Sequence, residues 1–367
     1  MRRTPIEWAD WGCNPIRAIR ESPVGGHVRF ARHGHACVKV SPGCQRCYSE
    51  NWNRRFGTGL PYTASALARV QFILDEAELH AMSHSRAIAG QRVFVCDMTD
   101  AFQPAVSPEQ IDRVFFTLAQ RPDVHWMLLA KRPERAALYL DGFARADRGA
   151  PIYELAEILC ATPAALAKGW PLPNVWVGTS CEDQQRADER IPKLFACQAA
   201  VRFVSLEPLL GPIDVHFGDS LTHDEDSAVG WTPCDVGGRR HQHPLHERCW
   251  RGLDWVIVGG ETGPGARPMH PAWVRRIRDD CQAAGVPFFF KSWGEWSPIG
   301  PADDSAPAPG VRHCRLALSG ADVTDLPGLW SETDWLMARA GRRRSGRSLD
   351  GRTWDQFPQV EAGRPVR

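Results

Sequence analysis

No stretch of this sequence approaches the roughly 20 consecutive apolar residues that span a bilayer. The opening residues, Met1 to Gly12, hold no apolar core of the kind a secretory leader needs. A cytoplasmic protein without a membrane partner is therefore expected. An excess of one charge is also missing, since 44 basic and 43 acidic residues leave a formal net charge of +1. That balance argues against a strongly electrostatic nucleic-acid binder, although it leaves room for a local basic patch. Lysine is scarce, confined to positions 39, 131, 168, 193 and 291. The glycine-rich Gly259-Gly260-Glu261-Thr262-Gly263 lacks the spacing of a dinucleotide fingerprint, so a nicotinamide cofactor is not read from it.

What is present is an ordinary globular composition, with 43% hydrophobic residues in 367, enough for one large α/β domain or two smaller ones. Apolar runs recur at Val93 to Cys96, Trp126 to Ala130, Val175 to Thr179, Arg202 to Leu206, Trp255 to Gly259 and Pro287 to Lys291. They are apolar on both alternations, as strands covered on both faces must be. Helical patterns lie between them. Ser107-Pro108-Glu109-Gln110 supplies an N-cap, a first-turn proline and a capping-box glutamine, and a helix from Pro271 stops near Gly285. Such alternation predicts parallel strands with right-handed crossovers, in a partial (β/α) barrel with surface insertions; a doubly wound sheet is the alternative.

In either architecture ligands bind beyond the C-terminal ends of the strands. The residues there are polar, Asp97, Thr99, Asp100, Lys131, Ser180, Glu207, Glu261 and Lys291, and the segment Met98-Thr99-Asp100 follows the first of these strands. The expected division is an N-terminal segment with a metal-binding loop (1–60), the barrel (61–297) with an insertion at 214–252, and a variable loop and C-terminal extension (298–367). Residues 298 to 330 read as surface insertion, and Gly341 to Arg347 as a basic solvated run.

Twelve cysteines in a chain expected to be cytoplasmic do not read as a disulfide framework, because thiols stay reduced there. Cys37, Cys44 and Cys47 form a C-x6-C-x2-C run in which Pro42-Gly43 supplies a turn that returns the first cysteine to the other two. Three thiolates on a [4Fe–4S] cube leave one iron without a protein ligand. If S-adenosylmethionine takes that position, one electron cleaves its sulfonium and yields a 5′-deoxyadenosyl radical. The alternative is a structural zinc closed by His33 or His35 in a non-catalytic protein that binds nucleic acid or a partner, and a cluster enzyme that does not use S-adenosylmethionine is a third reading. Cys13 is a further candidate ligand.

Beyond the cysteines, the chain carries Ile6-Glu7-Trp8 with Cys13-Asn14-Pro15, Leu129 to Glu134, Val175 to Ser180, Ser205 to Pro212, Asp254 to Pro268, Phe289 to Gly294 and Leu349 to Trp354. In this ordered series it resembles the phage-associated three-Cys-motif proteins, a radical-SAM-like family of unknown function. The resemblance implies a radical-SAM-type barrel, a [4Fe–4S] cluster on Cys37, Cys44 and Cys47, and S-adenosylmethionine near Tyr48, Met98, Thr99, Asp100, Ser180 and Glu207. It also implies an electron donor such as a flavodoxin or ferredoxin, a nucleoside or nucleic-acid substrate, and a possible partner protein. Two features depart from this pattern. The first cysteine gap is wider than the commonest C-x3-C-x2-C spacing, and residues 17 to 36 read as an insertion before Cys37.

Lys131, Glu261 and Lys291 are the candidates for substrate binding or proton transfer, with ion pairing to Glu207 or Glu261 as the plainer role of the lysines. Cys234, His241, His243, His246 and Cys249 have metal-compatible types at irregular spacing. Cys96, Cys160, Cys181, Cys197 and Cys281 are expected to be buried apolar fillers. Trp293 and Trp296 are set apart as possible stacking rings.

Overall fold

The six apolar runs all become strands, each within a residue or so of its expected bounds. The structure is a computed structural model that describes residues 1–24, 27–144, 171–215, 231–236, 239–244, 252–302, 310–326 and 331–359. These fall into two compact units, Met1–Thr179 with Lys193–Arg202, and Ser180–Pro192 with Phe203–Gln359.

In the first unit β1 (Arg2–Arg3) pairs antiparallel with β2 (Trp11–Cys13). A hairpin of β3 (Ile16–Val24) and β4 (His27–Gly34) follows, then α1 (Tyr48–Phe56), the short α2 (Ala64–Leu67), β5 (Gln71–Leu74) and α3 (Glu76–His84). The remainder alternates: β6 (Arg92–Val95), α4 (Pro108–Ala119), β7 (His125–Ala130), α5 (Pro133–Ala144) and β8 (Val175–Ser180). Strands β2, β6, β7 and β8 run parallel in that spatial order. A separate antiparallel sheet has the order β4-β3-β5, so the expected insertion at 17–36 is a structured hairpin whose root is buried at Ile16 and Ala18.

Helix α4 forms as its sequence dictates. Ser107 caps the Gln110 amide, Gln110 caps Ser107 in return, and Pro108 occupies the first turn where its missing N–H costs nothing. Its apolar face, Ile111, Val114, Phe115 and Leu118, is buried. The indole of Trp126 on β7 donates to the Leu118 carbonyl at 3.1 Å, which satisfies the one polar atom of a fully buried ring.

The second unit contains α6 (Gln184–Phe195), which runs on into the first unit's residues, and a parallel trio in the order β9 (Val201–Leu206), β12 (Trp255–Gly259), β13 (Phe288–Ser292). Between β9 and β12 a hairpin of β10 (Trp231–Val236) and β11 (Arg239–Pro244) sets Cys234 opposite His241 in register; His246 and Cys249 lie outside the described residues, as does Cys160. Helix α7 (Pro271–Ala284) joins β12 to β13 and ends at Gly285, whose φ of +68° suits the residue without a Cβ. Residues 298–330 were expected to be insertion, yet β14 (Ser297–Pro301), β15 (His313–Leu316) and β16 (Trp335–Ala338) form a three-stranded antiparallel sheet, with Cys314 buried in it. The chain closes with α8 (Arg342–Ser345) and the β17 (Ser348–Leu349) and β18 (Arg352–Thr353) pair. The core of this unit centres on Trp255, whose ring meets Phe203, Phe289 and Phe357 at centroid distances of 5.1–6.0 Å. Both units are mixed α/β, and among the described residues no helix is long and apolar enough to cross a membrane.

His270 caps α7. Its Nδ1 accepts the Ala272 amide at 3.1 Å, which fixes the proton on Nε2, and Nε2 donates to the Thr333 carbonyl at 2.9 Å. Burial holds the imidazole below its ordinary range. A histidine depressed in the folded state leaves the unfolded chain with more bound protons below pH about 6.5, so stability falls as pH drops through that value. Thermal unfolding from pH 7.5 to 5 is expected to show a slope to which His270 contributes up to about 1.4 kcal/mol per pH unit, beside the other depressed histidines, His35 and His125. In His270→Asn, which keeps a capping oxygen without titrating there, the slope should flatten.

Candidate metal centre

The three cysteines sit on one stretch between β4 and α1. Cys37 follows the hairpin, Cys44 closes a single 3-10 turn at Pro42–Cys44, and Cys47 is the N-cap of α1. The turn predicted from Pro42-Gly43 is therefore present, with the Cys44 amide donating to the Ser41 carbonyl at 2.9 Å.

Asn53, fully buried on α1, holds this stretch to its flanks. Its Oδ1 accepts the amides of His35 (2.8 Å) and Thr58 (3.1 Å), and its Nδ2 donates to Thr58 Oγ1 (2.8 Å) and the Leu60 carbonyl (3.0 Å). A Cβ at Gly34 or Gly57 would clash with the same Oδ1, so both glycines are required by close approach. His35 is buried and holds both ring nitrogens in contacts. Arg17 can only donate, so Nε2 accepts from it at 2.9 Å, leaving the Nδ1 proton facing Thr99 Oγ1 at 3.4 Å. Burial, aided by the charges of Arg17 and Arg2, lowers the His35 pKa to about 3, so the ring is neutral.

The far wall comes from the ends of β6 and β7. Cys96 leaves β6 with φ +60°, a left-handed turn rare for a residue with a Cβ, and so directs residues 97–100 out of the sheet. Three of the predicted residues there brace the cysteine stretch. The Met98 carbonyl accepts from Ser49 Oγ (2.6 Å) and Tyr62 Oη (3.2 Å), and Thr99 meets His35. Asp100 accepts from Arg132 Nη1 (2.7 Å), the Lys131 amide (3.2 Å) and the Phe102 amide (3.0 Å). Arg132 in turn donates to the Val38 carbonyl at 3.1 Å, one residue from Cys37. Tyr48 is 53% exposed, yet its hydroxyl is anchored to the Asp97 carbonyl at 2.5 Å.

The thiols lie within electrostatic reach of one another, since charge on Cys47 raises Cys37 and charge on Cys44 raises Cys47. Burial pushes Cys37 up to about 11, as does the Asp100 carboxylate, against Arg132 and the Asp100 amide, which pull it down. Burial also raises Cys47, against the Glu50 and Ser49 amides at the head of α1 and the charge of Lys131. Each of these opposing groups stabilises a thiolate. Among the described residues, no group of three or more His, Cys, Asp or Glu is drawn to the spacing of a single metal ion. A cube binds its cysteines at separate corners, and three cysteines with cationic and amide groups beside Cys37 and Cys47 are the donor chemistry such a cluster takes. Cys13 is fully buried in β2 with its thiol pushed far up, first by burial and then by Cys96, which places it in the core.

The remaining candidates belong to the second unit. Ser180 is buried and its carbonyl accepts from Arg190 at 2.6 Å. Glu207 and Lys291, at the ends of β9 and β13, form an ion pair across Gly259, where a Cβ would press on both side chains. Glu261 is buried and taken up by Arg267, through Nε (2.9 Å), Nη2 (2.5 Å) and the backbone amide (2.8 Å). The loops after β12 and β13 meet backbone to backbone at Gly260 and Gly294, since a Cβ on either would overlap the other's main chain. Trp293 and Trp296 are not stacking rings. Both are buried, and each indole donates to a carbonyl, of Ser348 (2.9 Å) and Ala266 (2.7 Å).

Among protein families, the one described as "Protein of unknown function (DUF5131)" matches residues 30–358, a span that contains all three clustered cysteines and both rows of strand ends. The chain belongs to the DUF5131 family. No curated protein and no solved structure matches it.

Within this DUF5131 chain, sequence reasoning passed over Asn53, His35 as a structural residue, and Arg132 as the partner of Asp100. For Asn53 the available signal was Gly34 and Gly57, glycines with no turn requirement of their own. The Asp100–Arg132 pair is nearly solvent-free, with side chains 8% and 9% exposed. Asp100→Asn strands a buried guanidinium and is expected to cost about 3–5 kcal/mol in urea denaturation. Asp100→Ala with Arg132→Met should cost less than the sum of the single changes.

Proposed function

We propose that this DUF5131 protein is a radical-SAM-type enzyme on a partial (β/α) barrel, with a [4Fe–4S] cluster on Cys37, Cys44 and Cys47. The observation that carries the reading is the set of three neighbouring thiols on one braced stretch, opposed by Arg132, Lys131 and the head of α1. Three protein ligands leave one iron open. With S-adenosylmethionine bound there, the group supplies a 5′-deoxyadenosyl radical able to take hydrogen from unactivated carbon.

The chain's own residues divide the remaining tasks. Met98, Thr99 and Asp100 act by positioning the cysteine stretch, because their polar groups are engaged within the protein. The Tyr48 ring, open on one side and fixed by its hydroxyl, is the group available to an adenine. Lys131, whose charge opposes the rise that burial imposes on Cys47, favours its thiolate when a metal takes it up. Ser180 and Glu207 are assigned to the cofactor, and Lys291 and Glu261 to the substrate. For the last three this requires the ion pairs Glu207–Lys291 and Glu261–Arg267 to open or to be recruited as pairs. The resemblance to the phage-associated three-Cys-motif proteins supports a nucleoside or nucleic-acid substrate and a flavodoxin- or ferredoxin-like electron donor.

Anaerobic reconstitution with iron and sulfide is expected to give a brown protein that, with dithionite and S-adenosylmethionine, releases 5′-deoxyadenosine. Cys44→Ala should lose both the colour and the product. A cluster that leaves S-adenosylmethionine intact would remove the cofactor from the reading, and colourless protein with co-purifying zinc would replace the cluster by a structural ion.

A further inference from the structure

Helix α1 turns two unlike faces outward and inward. Ser49, Glu50 and Asn53 are buried, while Tyr48, Trp52 and Phe56 recur at every fourth residue on the other side, with Asn51 and Arg55 between them and Arg54 at the margin. Two of these aromatics are unusually open for their size, Tyr48 at 53% and Phe56 at 61% exposure. They are also ordered. The Tyr48 hydroxyl is held by the Asp97 carbonyl, Trp52 lies between His35 and Phe56 at centroid distances of 5.6 and 6.0 Å, and the Arg55 guanidinium stands 4.9 Å over Phe56.

The exposed charge on the strip's own segment has one sign. From Cys37 to Gly57 the acidic residue is Glu50, which is buried and neutralised by Lys39 at 2.5 Å. Among the described residues Arg54 and Arg55 meet no carboxylate, and both are exposed. Exposed aromatics of this extent without charge would suit an apolar protein partner, and arginines alone would suit any anion. Flat rings already fixed in place and interleaved with unpaired guanidinium groups match a ligand that alternates π-faces with negative charge.

We infer that the outer face of α1, Trp52 and Phe56 with Arg54 and Arg55, binds single-stranded nucleic acid, bases on the rings and phosphates on the arginines, while the neighbouring Tyr48 is left to the cofactor's adenine. This names the substrate class of the function proposed above and rests on that reading only for the strand being acted upon. Binding itself needs no turnover. A duplex offers phosphates but hides its base faces in the stack, so single strands are preferred. Modest sequence preference is expected, since every base has a π-face.

The test is fluorescence anisotropy of the full chain with a fluorescein-labelled 15-nucleotide single strand, its duplex, and poly-glutamate as competitor, across a salt series. Wild type should bind the single strand more tightly than the duplex. Arg54→Ala with Arg55→Ala should weaken binding and reduce the slope of log K against log salt by about 1.4, two phosphate contacts at about 0.7 each. Phe56→Ala should weaken binding by about tenfold and leave that slope unchanged. Both variants alter exposed positions, and circular dichroism checks that they fold. The proposal is overturned if the single strand does not bind at low salt, if duplex binds equally well with Phe56→Ala neutral, or if poly-glutamate competes at equal charge, which would assign the face to an acidic protein. Strand binding without deoxyadenosine formation would refute the enzyme reading and leave this one standing; the converse result would do the opposite.

Discussion

Asp100 and Arg132 form a buried ion pair on which the first unit's functional end depends. Two charges removed from water are tolerated only when every remaining donor and acceptor is used. Here the carboxylate also takes the Lys131 and Phe102 amides, and the guanidinium reaches the Val38 carbonyl. One pair thus joins the end of β6, the end of β7 and the stretch that carries Cys37. Asn53 does the equivalent from the α1 side without charge, through four hydrogen bonds. The cysteines are held in place by groups that are themselves immobile.

Much of this was legible beforehand where hydrophobic period and local chemistry agree. Val93 to Val95 and Trp255 to Val258 are buried on both faces, so their runs are apolar throughout. Ser107 and Gln110 cap α4 by local contacts that composition alone displays. Residues 17 to 36 stood out as an insertion by their departure from the resembled family's pattern; that the insertion is the β3–β4 hairpin was signalled only by Gly25-Gly26 between two strand-length runs. Similarly, Pro and Asp at 301–309 masked β14 to β16, whose clearest mark was the apolar Trp335 to Ala338. The cysteine stretch was readable from spacing. Its supports were not, because Arg132 reaches Asp100 and Val38, and His35 reaches Thr99, across 32 to 94 residues, and even the nearer Asn53 contacts to Thr58 and Leu60 follow no periodic pattern that a single sequence shows.

The two units also use polar strand ends differently. In the first, the residues after β6 and β7 spend their hydrogen bonds on one another and on the flanks of the cysteine stretch, at His35, Val38, Ser49 and Tyr62. In the second, the acidic residues after β9 and β12 are matched by basic ones, Glu207 by Lys291 and Glu261 by Arg267. In both units the polar groups at the strand ends are engaged by the protein itself, in the first by the flanks of the cysteine stretch and in the second by ion pairs.

Gly260 and Gly294 have a mechanical consequence. Where two loops touch through side chains, a layer of rotatable groups absorbs small displacements. Here main chain rests on main chain, and no such layer exists. A shift of the loop after β12 is passed to the loop after β13 without loss, so the carboxylate of Glu261 and the segment following Lys291 travel as one stiff piece.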